Sequence, residues 1–327
     1  MRTLHYPDFD QLQFCDRPSP EPAPGEVLIK VSACGVCGSE LETFKARSPR
    51  RPPPLIMGHE FCGVVQAVGA GVSGFSAGQN VVSNAIVSCG TCRRCLRGDT
   101  HLCGKRQIFG MHRPGAFAEF VPVPANALVA WPTGLPASQA CLAEPLANGV
   151  HIVNLVWNVS PESVLVIGAG PIGLMVLQSF KTLLGCRVFV ADLSPERLEV
   201  AARLGADKVI RADKEDATRV VADATAGEGA DVVVDAVGSG RTKAQSLQAA
   251  RPGGSVVWIG LHENRITFDS YDITTQERKV MGTYASTSRD LETALRLMAS
   301  GKVDVSSWIK TYPLEEGPAA FRRQLDP

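Results

Sequence analysis

The chain has 327 residues, 45% of them hydrophobic and 20% charged, which suits a globular protein with room for two separate cores. Its 33 basic and 33 acidic side chains cancel, so no basic excess points to nucleic acid or to a membrane surface. The first residues lack the apolar core of a signal peptide, and the longest apolar run, Val164 to Leu177, is interrupted by three glycines and a proline; a soluble, intracellular protein is expected.

In chain order, Val27–Val31, Gly63–Val68 and Asn80–Val82 are β-branched runs separated by turn signals such as Ala23-Pro24-Gly25 and Ala77-Gly78-Gln79. Short strands at this spacing predict a small, irregular β-barrel. The texture changes near Pro145. Val164–Ile167 predicts a buried strand, Ile172–Leu183 a helix, Arg187–Asp192 a strand and Pro195–Leu204 a helix. Asp231–Asp235 and Ser255–Ile259 continue the strands. This alternation predicts a doubly wound parallel sheet. After about Met281 come an amphipathic helix, Arg289–Met298, a strand-like piece, Ile309–Tyr312, and a helix beginning at Gly317.

Cys89, Cys92, Cys95 and Cys103 form C-x2-C-x2-C-x7-C. Four thiolates so close in sequence suit a closed tetrahedral zinc site better than disulfides, since no export signal accompanies them. Gly168-Ala169-Gly170-Pro171-Ile172-Gly173 fits G-x-G-x-x-G between a predicted strand and a predicted helix. There the glycines allow a tight turn, approach of a pyrophosphate, and close helix–strand contact. Asp192 ends the next strand, nineteen residues after Gly173. A carboxylate at that place accepts ribose hydroxyls and repels a 2′-phosphate, favouring NAD over NADP. Arg197, on the following helix, either reaches the adenosine or is a solvated helix residue.

A second set of metal-ligand types lies at Cys37, His59, Glu60 and Glu144. Thiolate, imidazole and carboxylate all suit zinc, and a catalytic zinc keeps three protein ligands and one open position. Taken singly, the cysteine could be a packing residue, the histidine a hydrogen-bonded core residue, and Cys34–Cys37 a redox pair. Ser39 is a candidate hydroxyl relay or a helix N-cap.

Together, Cys37-Gly38-Ser39, Gly58-His59-Glu60, the cysteine quartet, Glu144-Pro145-Leu146 and Gly168–Gly173 resemble the zinc-dependent medium-chain dehydrogenase/reductase family over nearly the whole chain. The nearest branch holds sorbitol-, threonine- and galactitol-1-phosphate-dehydrogenase-like proteins. The resemblance implies an α/β chain. A GroES-like β-barrel catalytic domain would span 1–145 and 281–327, with a structural zinc lobe at about 88–104, and a Rossmann NAD-binding domain would span 146–280. It implies two Zn2+ per chain, one structural on the quartet and one catalytic on Cys37, His59 and Glu144, with Glu60 the alternative carboxylate. The catalytic zinc would act as a Lewis acid on a small-molecule alcohol, whose hydride passes to NAD. Ser39 would begin the proton relay. A homodimer or homotetramer is implied as well. Cys15, Cys34, Cys62, Cys141 and Cys186 are left as packing residues.

The sequence departs from that family at three places. Glu40 and Glu42 stand where many members have Asp and His. The segment Lys45–Arg51 is unusually basic, either a solvated loop or an anion site for a phosphorylated or acidic substrate. Relatives also run on past position 327 and finish on a strand. The expected activity is oxidation of a polyol, sugar or sugar-phosphate alcohol. Oxidation of threonine or of a simple alcohol is the alternative, and a non-catalytic nucleotide-binding protein of the same fold is a further one.

Overall fold

A computed structural model describes residues 1–325. The chain divides into two compact units, one formed by Met1–Ala147 with Ala285–Pro327 and the other by Asn148–Tyr284.

The first unit is built on a five-stranded antiparallel sheet in the order Leu128–Ala130, Asn80–Ser83, Glu60–Val68, Glu26–Gly35, Phe120–Pro124. Its three longest sequence-predicted strands lie inside Glu26–Gly35, Glu60–Val68 and Asn80–Ser83. Val27, Ile29, Phe61, Val65, Val81, Val121 and Val123 form its core. Between Glu26–Gly35 and Glu60–Val68 the register shifts twice, after Leu28 and after Val31, which bends the pair as bulges do. At the end of this pair Gly35 stands opposite Glu60. A β-carbon on Gly35 would overlap the Glu60 carboxylate, so the bare backbone there makes room for a buried acid.

A second sheet orders Gln13–Asp16, Arg2–Tyr6 and Leu55–Ile56. Leu4, Tyr6, Met57 and Phe117 pack with Phe321 from the helix Gly317–Leu325. The strand expected at Ile309–Tyr312 is not formed. That stretch is irregular between the 3-10 turns Ser306–Trp308 and Leu314–Glu316. Its side chains have strand propensity, but that propensity reflects fit against a neighbouring strand, and among the described residues it has none.

The second unit holds six parallel strands in the order Lys208–Arg211, Arg187–Asp192, Ser163–Ile167, Ala230–Asp235, Ala250–Trp258, Lys279–Gly282. Numbered along this unit the order is 3-2-1-4-5-6, the doubly wound dinucleotide-binding arrangement. Strands covered on both faces read as continuous apolar runs, and every residue of Ser163–Ile167 is buried. Leu165, Ile167, Phe189, Val233, Leu247 and Val256 belong to one core cluster. The helix Pro171–Leu184 starts with Pro at its first turn and ends at Gly185 in the left-handed conformation, as start and stop chemistry require. No helix of the described residues is long and apolar enough to cross a membrane.

Candidate active site and metal centres

The quartet sits on a small lobe whose entry and exit, Ile86–Val87 and Gln107–Ile108, pair antiparallel. Cys92 caps the short helix Arg93–Leu96, which carries Cys95. Four sulfur pairs lie 3.5–3.9 Å apart: Cys89–Cys95, Cys92–Cys95, Cys92–Cys103 and Cys89–Cys103. Sulfurs at the corners of a tetrahedron with Zn–S bonds of about 2.3 Å are separated by about 3.8 Å, so the four thiols fit that ion. Backbone N–H groups of Thr91 and Cys92 bring Cys89 down to about 6, favouring its thiolate, whereas burial and neighbouring sulfurs push Cys95 up to about 11. All ten cysteines are free thiols.

Cys95→Ser is therefore expected to lose one zinc per chain and to open the lobe to proteolysis between its two paired ends. A net contribution of about 3 kcal/mol, well under the roughly 10–16 kcal/mol apparent for thiolate zinc sites, would lower Tm by about 6–12 °C. Zinc content, limited proteolysis and thermal unfolding check this together.

The second group joins Cys37, His59 and Glu60, whose ligand atoms lie within 4.8 Å of one another. Cys37 caps the helix Gly38–Ala46, and His59 and Glu60 stand at the start of the strand Glu60–Val68. The carboxylate in this group is Glu60. Glu144, in the first turn of the helix Ala143–Val156, is 5% exposed and close enough to act on Glu60 electrostatically, but it lies outside the group. Gly35 lets the Glu60 carboxylate approach, a pairing that becomes visible only when the two strands meet.

Glu40 connects the histidine and the cysteine. It is fully buried; its Oε1 accepts the Gly58 N–H at 2.8 Å and lies 2.9 Å from His59 Nδ1, while its Oε2 accepts the Cys37 N–H at 3.2 Å. A carboxylate is acceptor-only, so His59 donates from Nδ1 and keeps Nε2 for a metal. Burial works against ionised Glu40, yet His59, Arg51 and the Gly58 N–H together hold it below the usual carboxylate range. Burial likewise opposes a charged His59, but Glu40 and Cys37 outweigh it and raise the imidazole well above its ordinary value. Burial pushes Glu60 up; His59 opposes this, Glu144 and Glu40 reinforce it, and the carboxyl stands at about 8. Burial and Glu60 also raise the Cys37 thiol. Acids crowded into a buried site around one imidazole suit a divalent cation, which would offset the charge that burial penalises.

Ser39 does not cap the helix. It is the second residue of Gly38–Ala46, two positions beyond the Cys37 cap. Its hydroxyl donates to Cys37 Sγ at 3.2 Å and accepts from Arg51 Nη2 at 3.2 Å. Glu42 is exposed. The basic segment does not form one cationic patch: Arg47 pairs with Asp10 at 2.7 Å, Lys45 and Arg50 face solvent, and Arg51 turns inward.

In the second unit, Gly168 has φ +99°, and a β-carbon on Gly173 would overlap the Gly168 carbonyl, so both positions need glycine. Gly170 is the N-cap, followed by Pro171 and Ile172 in the first turn. Asp192 Oδ2 accepts the Ala169 N–H at 2.6 Å and Oδ1 the Ser194 N–H at 2.8 Å. The acid thereby ties the glycine turn to the next strand and keeps lone pairs for a ribose. Arg197 is exposed, its backbone N–H bonded to Ser194 Oγ at 3.2 Å.

Residues 23–133 match the alcohol dehydrogenase GroES-like domain and residues 171–300 the zinc-binding dehydrogenase domain. The L-threonine 3-dehydrogenase of Pyrococcus horikoshii is 39% identical over 294 residues, 88% of this chain and 83% of that one. The chain belongs to the zinc-dependent medium-chain dehydrogenase/reductase family. It is also similar to the D-arabitol-phosphate dehydrogenase of Enterococcus avium, 33% identical over 98% of this chain and 92% of that one. The solved galactitol-1-phosphate dehydrogenase of Escherichia coli superposes with a TM-score of 0.91 at 27% identity, covering 98% of this chain and 96% of that one. This protein is accordingly a zinc-binding dehydrogenase of the alcohol dehydrogenase type.

The sequence marks Glu40 only as a departure from the family and Arg51 only as part of a basic segment, and it gives neither of them its place beside Cys37 and His59. The spacing Cys37-x-x-Glu40 resembles a capping box and was the available signal for Glu40. Nothing in the sequence separates Arg51 from the exposed cations beside it.

Proposed function

We propose that the enzyme oxidises a secondary alcohol of a polyol, sugar or sugar phosphate to a ketone, inside the cell and as a homodimer or homotetramer, with Cys37, His59 and Glu60 holding the catalytic zinc and the quartet the structural one. The observation that carries this reading is the convergence of thiolate, imidazole and carboxylate on one buried point. When bound, zinc acts as a Lewis acid that lowers the pKa of an alcohol hydroxyl, and NAD accepts the hydride.

The chain's own residues do the rest. Glu40 fixes the His59 tautomer and ring orientation through Nδ1. Ser39 donates a hydrogen bond to Cys37 Sγ and accepts one from Arg51, leaving its other lone pair to accept a hydrogen bond from a substrate hydroxyl. A relay through Ser39 would need its hydroxyl to turn from Cys37 Sγ toward solvent, since position 42 holds an exposed glutamate and no histidine. On the nucleotide unit, the N-terminus of Pro171–Leu184 receives the pyrophosphate and Asp192 the ribose hydroxyls. The balanced charge supports no nucleic-acid or membrane partner.

The test is NADH formation on a panel of polyols, sugar phosphates, L-threonine and simple alcohols, with NADP as the second cofactor. The expected result is the highest kcat/KM on a polyol or sugar-phosphate alcohol with NAD. L-threonine is the second reading, favoured by the 39% identity to a threonine dehydrogenase; a best rate on it would displace the first.

A further inference from the structure

We propose that Arg51 is a positioning residue for the catalytic thiolate, acting through the hydroxyl of Ser39; this rests on the assignment of Cys37, His59 and Glu60 to the catalytic metal. Arg51 is 4% exposed, unlike Lys45, Arg47 and Arg50 beside it. Its Nη1 donates to the Ser39 carbonyl at 2.8 Å and to Thr43 Oγ1 at 3.3 Å, and its Nη2 donates to Ser39 Oγ at 3.2 Å. Thr43 completes the bracket by donating to the same Ser39 carbonyl at 2.8 Å. The single Ser39 hydroxyl proton goes to Cys37 Sγ.

A hydroxyl with one lone pair held by a guanidinium is fixed in rotation and polarised along its O–H bond. A full positive charge thus stands two hydrogen bonds from a ligand sulfur. Burying a cation is unfavourable unless it is compensated, and here the Ser39 carbonyl, the Thr43 hydroxyl and the Ser39 hydroxyl accept from both terminal nitrogens of the guanidinium. One buried arginine therefore braces the Cys37 donor through Ser39. Lysine would keep the charge but not the fork that reaches carbonyl and hydroxyl together.

The experiment compares the unmodified holoenzyme with Arg51→Met, Arg51→Lys, Ser39→Ala and the Ser39→Ala/Arg51→Met double variant, each also with cobalt in the catalytic site. Arg51→Met is expected to lower kcat by about 10–100-fold, the usual range for partners of metal ligands, with KM nearly unchanged. It should also move the cobalt–thiolate charge-transfer band to longer wavelength. Arg51→Lys should fall between, and both effects should vanish in the Ser39→Ala background. Arg50→Ala, on an exposed neighbour, should behave as wild type. An unmoved band, an equal kcat loss without Ser39, or a raised KM at constant kcat each overturns the role of Arg51. If Arg51→Met does not fold, Arg51→Lys with and without Ser39 decides by the same criteria. A holoenzyme with no Cys37-dependent cobalt band would overturn the metal-site assignment itself, and this role with it.

Discussion

Cys37→Ser enzyme is expected to hold one zinc per chain instead of two and to turn over on the order of 10³-fold more slowly, or worse. Removing the thiolate leaves His59 and Glu60 as a two-donor site, too few for a catalytic zinc. Lewis-acid stabilisation of the developing charge contributes several kcal/mol, and each 1.4 kcal/mol or so is a factor of ten. Metal analysis after dialysis against a chelator, alongside steady-state rates, separates metal loss from misfolding, because the quartet should retain its ion. The same measurement ranks the two carboxylates. Glu60→Gln should weaken the catalytic zinc by more than about tenfold. Glu144→Gln should leave it in place, because that acid lies outside the ligand group while its charge acts on Glu60. The reverse outcome would return the third ligand to Glu144.

Asp192→Ala is expected to raise the KM for NAD by roughly 10–100-fold and to narrow or reverse the preference over NADP. The loss corresponds to about 1.5–3 kcal/mol for a hydrogen bond to a charged group. Removing the carboxylate also removes the negative charge that repels a 2′-phosphate. Because Asp192 holds the Ala169 and Ser194 N–H groups as well, Asp192→Asn provides the control: it keeps an acceptor and should retain more NAD binding than Ala while still admitting NADP. Kinetics with both cofactors decide, and unchanged cofactor selectivity would remove Asp192 from the ribose site.

What the sequence made legible was what local patterns encode. The strand at Val164–Ile167, the glycine turn and the helix after it follow from periodicity and from glycine chemistry that only a tight turn and a close helix require. The quartet was equally plain, since its four ligands lie within fifteen residues. What depended on distant parts of the chain meeting was harder to read. That Gly35 opposes Glu60 across two irregularly registered strands, and so gives its carboxylate room beside Cys37 and His59, is carried by no spacing in the sequence. Ser39 was open to a capping role because Ser is a strong cap, but Cys37 caps the helix and Glu40 accepts its N–H. Ile309–Tyr312 has the right side chains for a strand and no strand beside it. Arg51 sits in a run of cations that looks uniformly solvated, and only tertiary burial sets it apart.

The unit that carries both metal groups is assembled from two separated stretches, Met1–Ala147 and the residues from Ala285 onward, with the nucleotide unit inserted between them. Synthesis is vectorial, at about 5–20 residues per second, so Phe321 leaves the ribosome on the order of 10–50 s after Met57. Until then Leu4, Tyr6, Met57 and Phe117 lack the aromatic ring that closes their cluster. The inserted unit is contiguous and can complete its sheet first, and the cysteine lobe needs only its own short stretch of chain to load zinc. The hydrophobic seam that Phe321 helps to cover is therefore completed only after the whole nucleotide unit has been synthesised.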